Sequence, residues 1–301
     1  MNTQRIAPHL WFATGAKEAA DFYASVFNNT KVTHVSTVKG TPSGDTDIVS
    51  FEIDGQPFMA IDAGPVFTPN PSISFTVVFD PANYPDAKER LSAAWEKLSD
   101  GGEALMPLQE YPFSPWYGWI KDRYGFTWQL NLVRPGTAHT TVMPSLMFVG
   151  ENAGRAEEAI NFYCSVFKDG KPGNMYRYPE GSGKDEGTLM YSDFTIHNTW
   201  LTAMDSTGPH AFTFNEAVSL LVPCDSQEEI DYYWEQLSAV PEAEQCGWLK
   251  DKFGLSWQIW PTEMGKMMSE GTPEQMERVV KAFMAMKKFD LAALRAAYEG
   301  A

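Results

Sequence analysis

Four apolar-rich runs of strand length open the chain, at 7–12, 31–38, 47–53 and 57–61, and a stretch of different rhythm separates the first two. In that stretch, 17–27, Ala19, Ala20, Tyr23 and Phe27 recur at the spacing of a helix with one buried face. Asp54-Gly55 lies between the third and fourth runs and suits a type I′ turn, so those runs read as a hairpin. The pattern then starts again. A strand is expected at 72–79, a helix at 86–98 with Leu91, Ala94, Trp95 and Leu98 on one face, and strands near 103–108, 118–121 and 126–132. The order strand, helix, strand, strand, strand is thus written twice within 1–136.

It is then written twice more. YGWIKDRYGFTWQL at 117–130 returns as CGWLKDKFGLSWQI at 246–259, identical at half of its positions. FYASVF at 22–27 returns as FYCSVF at 162–167, and WEKLS at 95–99 as WEQLS at 234–238. The echoes keep their order and nearly their spacing, which identifies a tandem duplication. Its halves run over 1–136 and 143–261, joined by a polar stretch at 135–141, and a tail fills 262–301. From Trp234 to Gly247 the second copy is ten residues shorter than the first copy from Trp95 to Gly118.

In the tail, Thr272-Pro273-Glu274-Gln275 combines an N-cap, a proline at the first helical position and a capping-box glutamine. Met276, Val279, Val280, Phe283 and Met286 follow as an apolar stripe, and a second short helix is expected from Asp290 with Leu291, Leu294 and Tyr298. Packing on the protein's own domains is preferred for this stripe over a promiscuous methionine-rich binding face.

Composition narrows the function classes. A formal charge of -16 opposes nucleic acid or an anionic membrane surface as partner. No apolar run approaches a membrane span, and the N-terminus lacks the layout of a signal peptide. Cys164, Cys224 and Cys246, an odd set without metal-finger spacing, read as free thiols of a cytoplasmic protein.

Pro8-His9-Leu10-Trp11-Phe12, the FYASVF helix end, and Trp119, Asp122, Gly125, Trp128, Gln129 and Leu130 of the repeated segment together resemble the vicinal oxygen chelate superfamily. This is the glyoxalase, bleomycin-resistance and extradiol dioxygenase fold. Within it the sequence looks like the PhnB-like branch, which carries a 3-demethylubiquinone methyltransferase-like label. The resemblance covers nearly all of 6–133 and 143–260. It implies an α+β fold of tandem glyoxalase-like domains, four βαβββ modules forming curled mixed sheets, here with a helical tail. It also implies that the two modules of a half curl into one cup with ligand on the concave face. The halves would pair within the chain as a pseudo-dimer, which leaves room for further oligomerisation.

Metal-using relatives place donors on the first, fourth, fifth and eighth strands of a domain. In the first half these places fall on His9, on Ala60 or Asp62, on Ser72 and on Gln129; in the second, on Ser145, Ala203, Ala217 and Gln258. A divalent ion needs several converging carboxylates or imidazoles to replace its water. One imidazole and one amide fall short, so no cofactor is expected, and His9 and Gln129 are only weak metal candidates.

The cup expected in the first half has His9 and Trp11 on one face of its first strand, Ser72 on the fifth, and Gln129 and Asn131 on the eighth. Trp116 and Trp119 join as aromatic walls, Trp116 from the loop QEYPFSPW at 109–116, which either covers the cup or packs a domain interface. Such a floor suits a small ligand, partly apolar and partly hydrogen-bonding. On an equally weighted reading these polar groups satisfy one another.

The expectation is a metal-independent small-molecule binder using the cup of the first half. The alternative is a lyase, isomerase or oxygenase with His9 as catalytic acid–base or as ligand of a weakly held ion. Asp122 and Asp251 read as turn caps and His197 as a hairpin tip. Methyl transfer would call for a glycine-rich turn between strand and helix of a doubly wound sheet. The glycine clusters at 101–102 and 181–183 sit at no such junction.

Overall fold

The structure, a computed structural model, describes residues 5–41 and 44–301. The first half contributes β1 (Ala7–Phe12), α1 (Ala16–Val26), β2 (Thr30–Thr41), β3 (Gly44–Ile53) and β4 (Gln56–Asp62). It continues with β5 (Ile73–Phe79), α2 (Ala87–Ser99), β6 (Glu103–Tyr111), β7 (Ser114–Lys121) and β8 (Thr127–Leu132). The second half repeats the order as β9 (Val142–Phe148), α3 (Ala156–Val166), β10 (Lys171–Arg177), β11 (Leu189–Ile196) and β12 (Thr199–Asp205). Its last module is β13 (Val218–Cys224), α4 (Gln227–Leu237), β14 (Trp248–Lys250) and β15 (Ser256–Pro261), without a counterpart of β6 among the described residues. The tail holds α5 (Thr262–Glu270), α6 (Pro273–Met284) and α7 (Leu291–Glu299). Both reciprocal bonds of the Thr272–Gln275 capping box are present at the start of α6. No helix among the described residues is long and apolar enough to cross a membrane.

Two sheets result, in strand orders β14-β15-β13-β1-β4-β3-β2 and β10-β11-β12-β9-β5-β8-β7-β6. Each contains one module from each half. The joints are antiparallel, β1 against β13 and β5 against β9, so the two halves associate within the chain.

This arrangement corrects the expected cup. The modules of one half do not share a concave face; they stand back to back and bury the core between them. In the first half Phe51 stacks on Phe58 at 5.2 Å, Phe58 meets Phe75 of the other sheet at 5.2 Å, and Phe75 meets Trp128 at 5.1 Å. Tyr23 of α1 lies 4.9 Å from the same Trp128. Because side chains alternate along a strand, committing Leu10, Phe58, Ala60, Phe75 and Trp128 to this core turns their immediate neighbours in sequence outward, into two different cups. His9 therefore belongs to the seven-stranded sheet, whereas Gln129 and Asn131 belong to the eight-stranded one.

The repeated Lys-Asp pair builds the turn before the last strand of each half. Asp122 Oδ1 accepts from Tyr124 N and Phe126 N, and its Oδ2 from Tyr23 Oη and Trp128 Nε1. Asp251 makes the same four contacts with Phe253, Leu255, Tyr163 and Trp257. Burial raises both carboxyls, Asp251 to about 6, against the four donors that act to lower them. These are structural groups inside the core, not cup residues.

Candidate functional site

The cup of the seven-stranded sheet is assembled around β1. His9 is opposite Ser219 of β13 on one side and Met59 of β4 on the other. Two positions on, Trp11 shares its face; the indole N–H donates to Gly64 O at 2.8 Å, which fixes the ring. From the second half, β15 supplies Gln258 and β14 supplies Trp248. Gln258 Nε2 donates to Ser219 Oγ at 2.9 Å, and the Trp248 ring meets His9 edge-on at 5.4 Å. Trp11 meets Phe67 at 5.0 Å and 82°, and Trp248 at 6.0 Å and 75°. His9, Trp11, Met59, Phe67, Trp248 and Gln258 line a partly open cavity of about 490 Å³.

The tail lines one side of the mouth. Cys246 N donates to Met286 O and Gly247 N to Lys287 O, while Gln245 Nε2 donates to Met284 O. These bonds seat Phe283, Met284 and Phe289 against the cavity. The tail thus contacts the edge that lost ten residues relative to the first half. It packs on its own domains, and it also lines the cup.

His9 is 3 % exposed, and its Nδ1 has no hydrogen-bond partner. Desolvation lowers its pKa to about 3, so the ring is neutral over the ordinary pH range. The positions around it that correspond to chelating strands hold Met59, Ser219 and Gln258. Among the described residues no three His, Cys, Asp or Glu side chains converge as a metal site. A thioether, a hydroxyl and an amide add no charge to the one imidazole, and this donor set does not fit a divalent ion. Ala60, offered by sequence as the fourth-strand donor, faces the core, and Asp62 accepts from Ala16 N at 2.7 Å to hold the start of α1.

The eight-stranded cup differs. Gln129 accepts from Tyr117 Oη at 2.8 Å and donates to Ser74 Oγ at 2.7 Å. Ser145 bonds Thr76 at 2.7 Å and Thr202 at 2.6 Å. Its floor is thus largely self-satisfied. Trp119 lies opposite Gln129 on this face, and Trp119 Nε1 and Asn131 Oδ1 are buried without partners. Ser72 is buried just ahead of β5.

Trp116 is a correction. The loop at 109–116 is a strand hairpin, with β6 running to Tyr111 and β7 starting at Ser114. Alternation sends Trp116 to the helix side, where its Nε1 donates to Ser92 Oγ at 3.2 Å and Lys88 lies 4.0 Å over its ring. Of the seven residues picked from sequence, only His9 and Trp11 lie together at the cavity. Sequence reasoning missed Met59, Phe67, Trp248 and the tail residues, and it assigned Gln258 to a separate cup of the second half. Trp248 had a signal, since it repeats Trp119.

The remaining histidines lie elsewhere. His34 is on β2 opposite Ser50, His197 sits at the β11–β12 turn with φ 46°, His139 stacks on Trp200 at 4.5 Å, and His210 bonds Ser206 at 2.7 Å.

Comparison with known proteins places this geometry in a family. A family model described as 3-demethylubiquinone-9 3-methyltransferase matches residues 4–131 and 140–260. A PhnB protein from Bacillus cereus is 34 % identical, with 43 % of this chain and all of that chain aligned and a TM-score of 0.39. A mutant of glyoxalase I from Zea mays is 12 % identical, with 88 % of this chain and 96 % of that chain aligned and a TM-score of 0.50, a likeness of fold. No curated protein matches the sequence. With both halves matched, the chain belongs to the family described as 3-demethylubiquinone-9 3-methyltransferase, a PhnB-like branch of the vicinal oxygen chelate superfamily, in tandem two-domain form.

Proposed function

We propose that this protein binds a small, mostly apolar molecule in the cup of the seven-stranded sheet, without a tightly held metal ion. The observation that carries this reading is the cavity of about 490 Å³ with neutral, hydrogen-bond-poor His9 in its wall. That volume lies in the range of about 300–1,000 Å³ found for small-molecule pockets. Aromatic rings supply contact area, and His9 with Gln258 supplies orientation.

An acid–base role for His9 is the second reading, and its chemistry is less favourable. A base is most effective when its pKa lies near the working pH, and desolvation holds His9 at about 3. The family description is not taken as an activity, because one fold hosts unrelated chemistries. The glycine pairs at 101–102 and 181–183 lie in turns of mixed sheets, away from a strand-to-helix phosphate-binding junction. The free thiols Cys164, Cys224 and Cys246 fit a cytoplasmic setting as part of the same proposal.

Native mass spectrometry of the purified protein, before and after chelator treatment, tests it. A co-purified organic molecule retained after chelation supports the reading. Loss of that molecule together with a stoichiometric metal would sink the metal-free part.

A further inference from the structure

We propose that the seven-stranded cup selects organic cations, substituted ammonium compounds with an apolar or aromatic body, over neutral or anionic molecules of the same shape. The inference rests on the reading that this cup is a binding site and adds the charge of its ligand.

Charge along the lining is the first observation. The cavity is bordered by Glu216 and Glu242 and by no lysine or arginine among the described residues. Two lysines stand near its mouth, and each is already engaged. Lys250 pairs with Glu216 at 2.9 Å, and Lys287 pairs with Glu244 at 3.1 Å. Glu242 has no such partner among the described residues, so one negative charge is left over at the opening.

Ring geometry is the second observation, and it is independent of the first. Trp11, Phe67 and Trp248 meet at steep angles, and Trp260 meets Phe289 at 90°. These rings, with Phe283, line the same cavity. An aromatic face that meets a bound cation attracts it, more strongly when the site is desolvated.

The third is what the cup lacks for an anion. A buried carboxylate, sulfonate or phosphate must exchange its water for cations or several donors. His9 is neutral here and cannot supply the charge. A formal charge of -16 over the whole chain draws cations toward the opening and repels anions.

Three probes of nearly one shape separate the possibilities: benzyltrimethylammonium, its neutral isostere neopentylbenzene, and the anion phenylmethanesulfonate. Binding to the full chain is followed by tryptophan emission and calorimetry. The expected result is a cation affinity at least tenfold above the neutral isostere, with the sulfonate weakest. Glu242→Gln, at an exposed position, is expected to reduce cation affinity several-fold and leave the neutral probe unchanged. Equal affinity for the cation and neopentylbenzene overturns cation selection while the cup stands as a site. No binding of any probe overturns the binding-site reading as well. Circular dichroism of the variant separates lost selectivity from lost folding.

Discussion

The phenol of Tyr163 donates to Asp251 Oδ2 at 2.8 Å, and Tyr23 meets Asp122 Oδ2 at the same distance in the other half. Each carboxylate thereby ties the helix of the first module in its half to the last hairpin of the second. Tyr163→Phe is expected to cost about 1–3 kcal/mol, since it leaves a buried acceptor short of a donor. It should also push the Asp251 pKa further above about 6. Chemical denaturation of the variant and of wild type, at several pH values, checks both effects.

Asp251 also sets a sign for pH dependence. A carboxyl raised to about 6 in the folded state favours folding when protonated. Its contribution is complete below the ordinary carboxylate range and is lost as pH rises through about 6. Asp251→Asn should flatten that limb while losing stability at neutral pH, because an amide nitrogen cannot accept from Trp257 Nε1. Urea midpoints across this range, compared with wild type, decide it.

His9 acts in the opposite sense. Its folded-state pKa is lowered to about 3 from 6.5, so the unfolded chain takes up the proton first. Stability from this group is full above 6.5 and is lost as pH falls toward about 3. One proton corresponds to roughly 1.4 kcal/mol per pH unit within that window. His9→Gln should remove this slope, and differential denaturation of wild type and variant isolates it from the aspartates.

Phe289 is buried against Trp260 and holds the tail over the cavity. Phe289→Ala is expected to destabilise by about 3–5 kcal/mol and to raise ligand exchange. Gly247→Ala attacks the same contact from below. Its φ is 82°, and an added Cβ would lie 2.3 Å from the Phe289 ring. Hydrogen exchange of residues 284–289 should rise in both variants, and an unchanged tail in Gly247→Ala would refute the seating described above.

Ligand stoichiometry follows from the difference between the cups. The amide of Gln129 and the hydroxyls of Ser74, Thr76, Ser145 and Thr202 are taken up by bonds within their own floor, whereas the other cup retains a cavity. Calorimetry should give one ligand per chain. A second equivalent would direct attention to Trp119 and Asn131, whose buried polar atoms stand free.

Much of the fold was legible because local chemistry carries it. Helical spacing marked α1 and α2, Asp54-Gly55 marked the hairpin, and the Thr272 box marked α6. The duplicated segments marked the halves, and the Asp122 and Asp251 turns were read as turns. Partner choice between modules was not legible. His9 opposite Ser219 and Ser145 opposite Ser74 are similar joints, so nothing local tells β1 to choose β13 over β5. Alternation along β7 is present in the sequence, but the prolines and aromatics of 109–116 resemble a loop, which hides that Trp116 faces α2. The contribution of Phe283 and Phe289 depended on where the tail crosses, which helical periodicity does not encode.

The crossed partnership of modules bears on biosynthesis. Ala7 near the start of the chain finds its neighbour across the joint only when Leu221 has been made. Until then β1 carries an open edge on the growing chain, a hazard for mispairing with a second nascent copy. Synthesis must run on through β13 before the imidazole-bearing strand is flanked on both sides, and proteolytic halves would have to re-pair β1 with β13 and β5 with β9 to recreate the hollows.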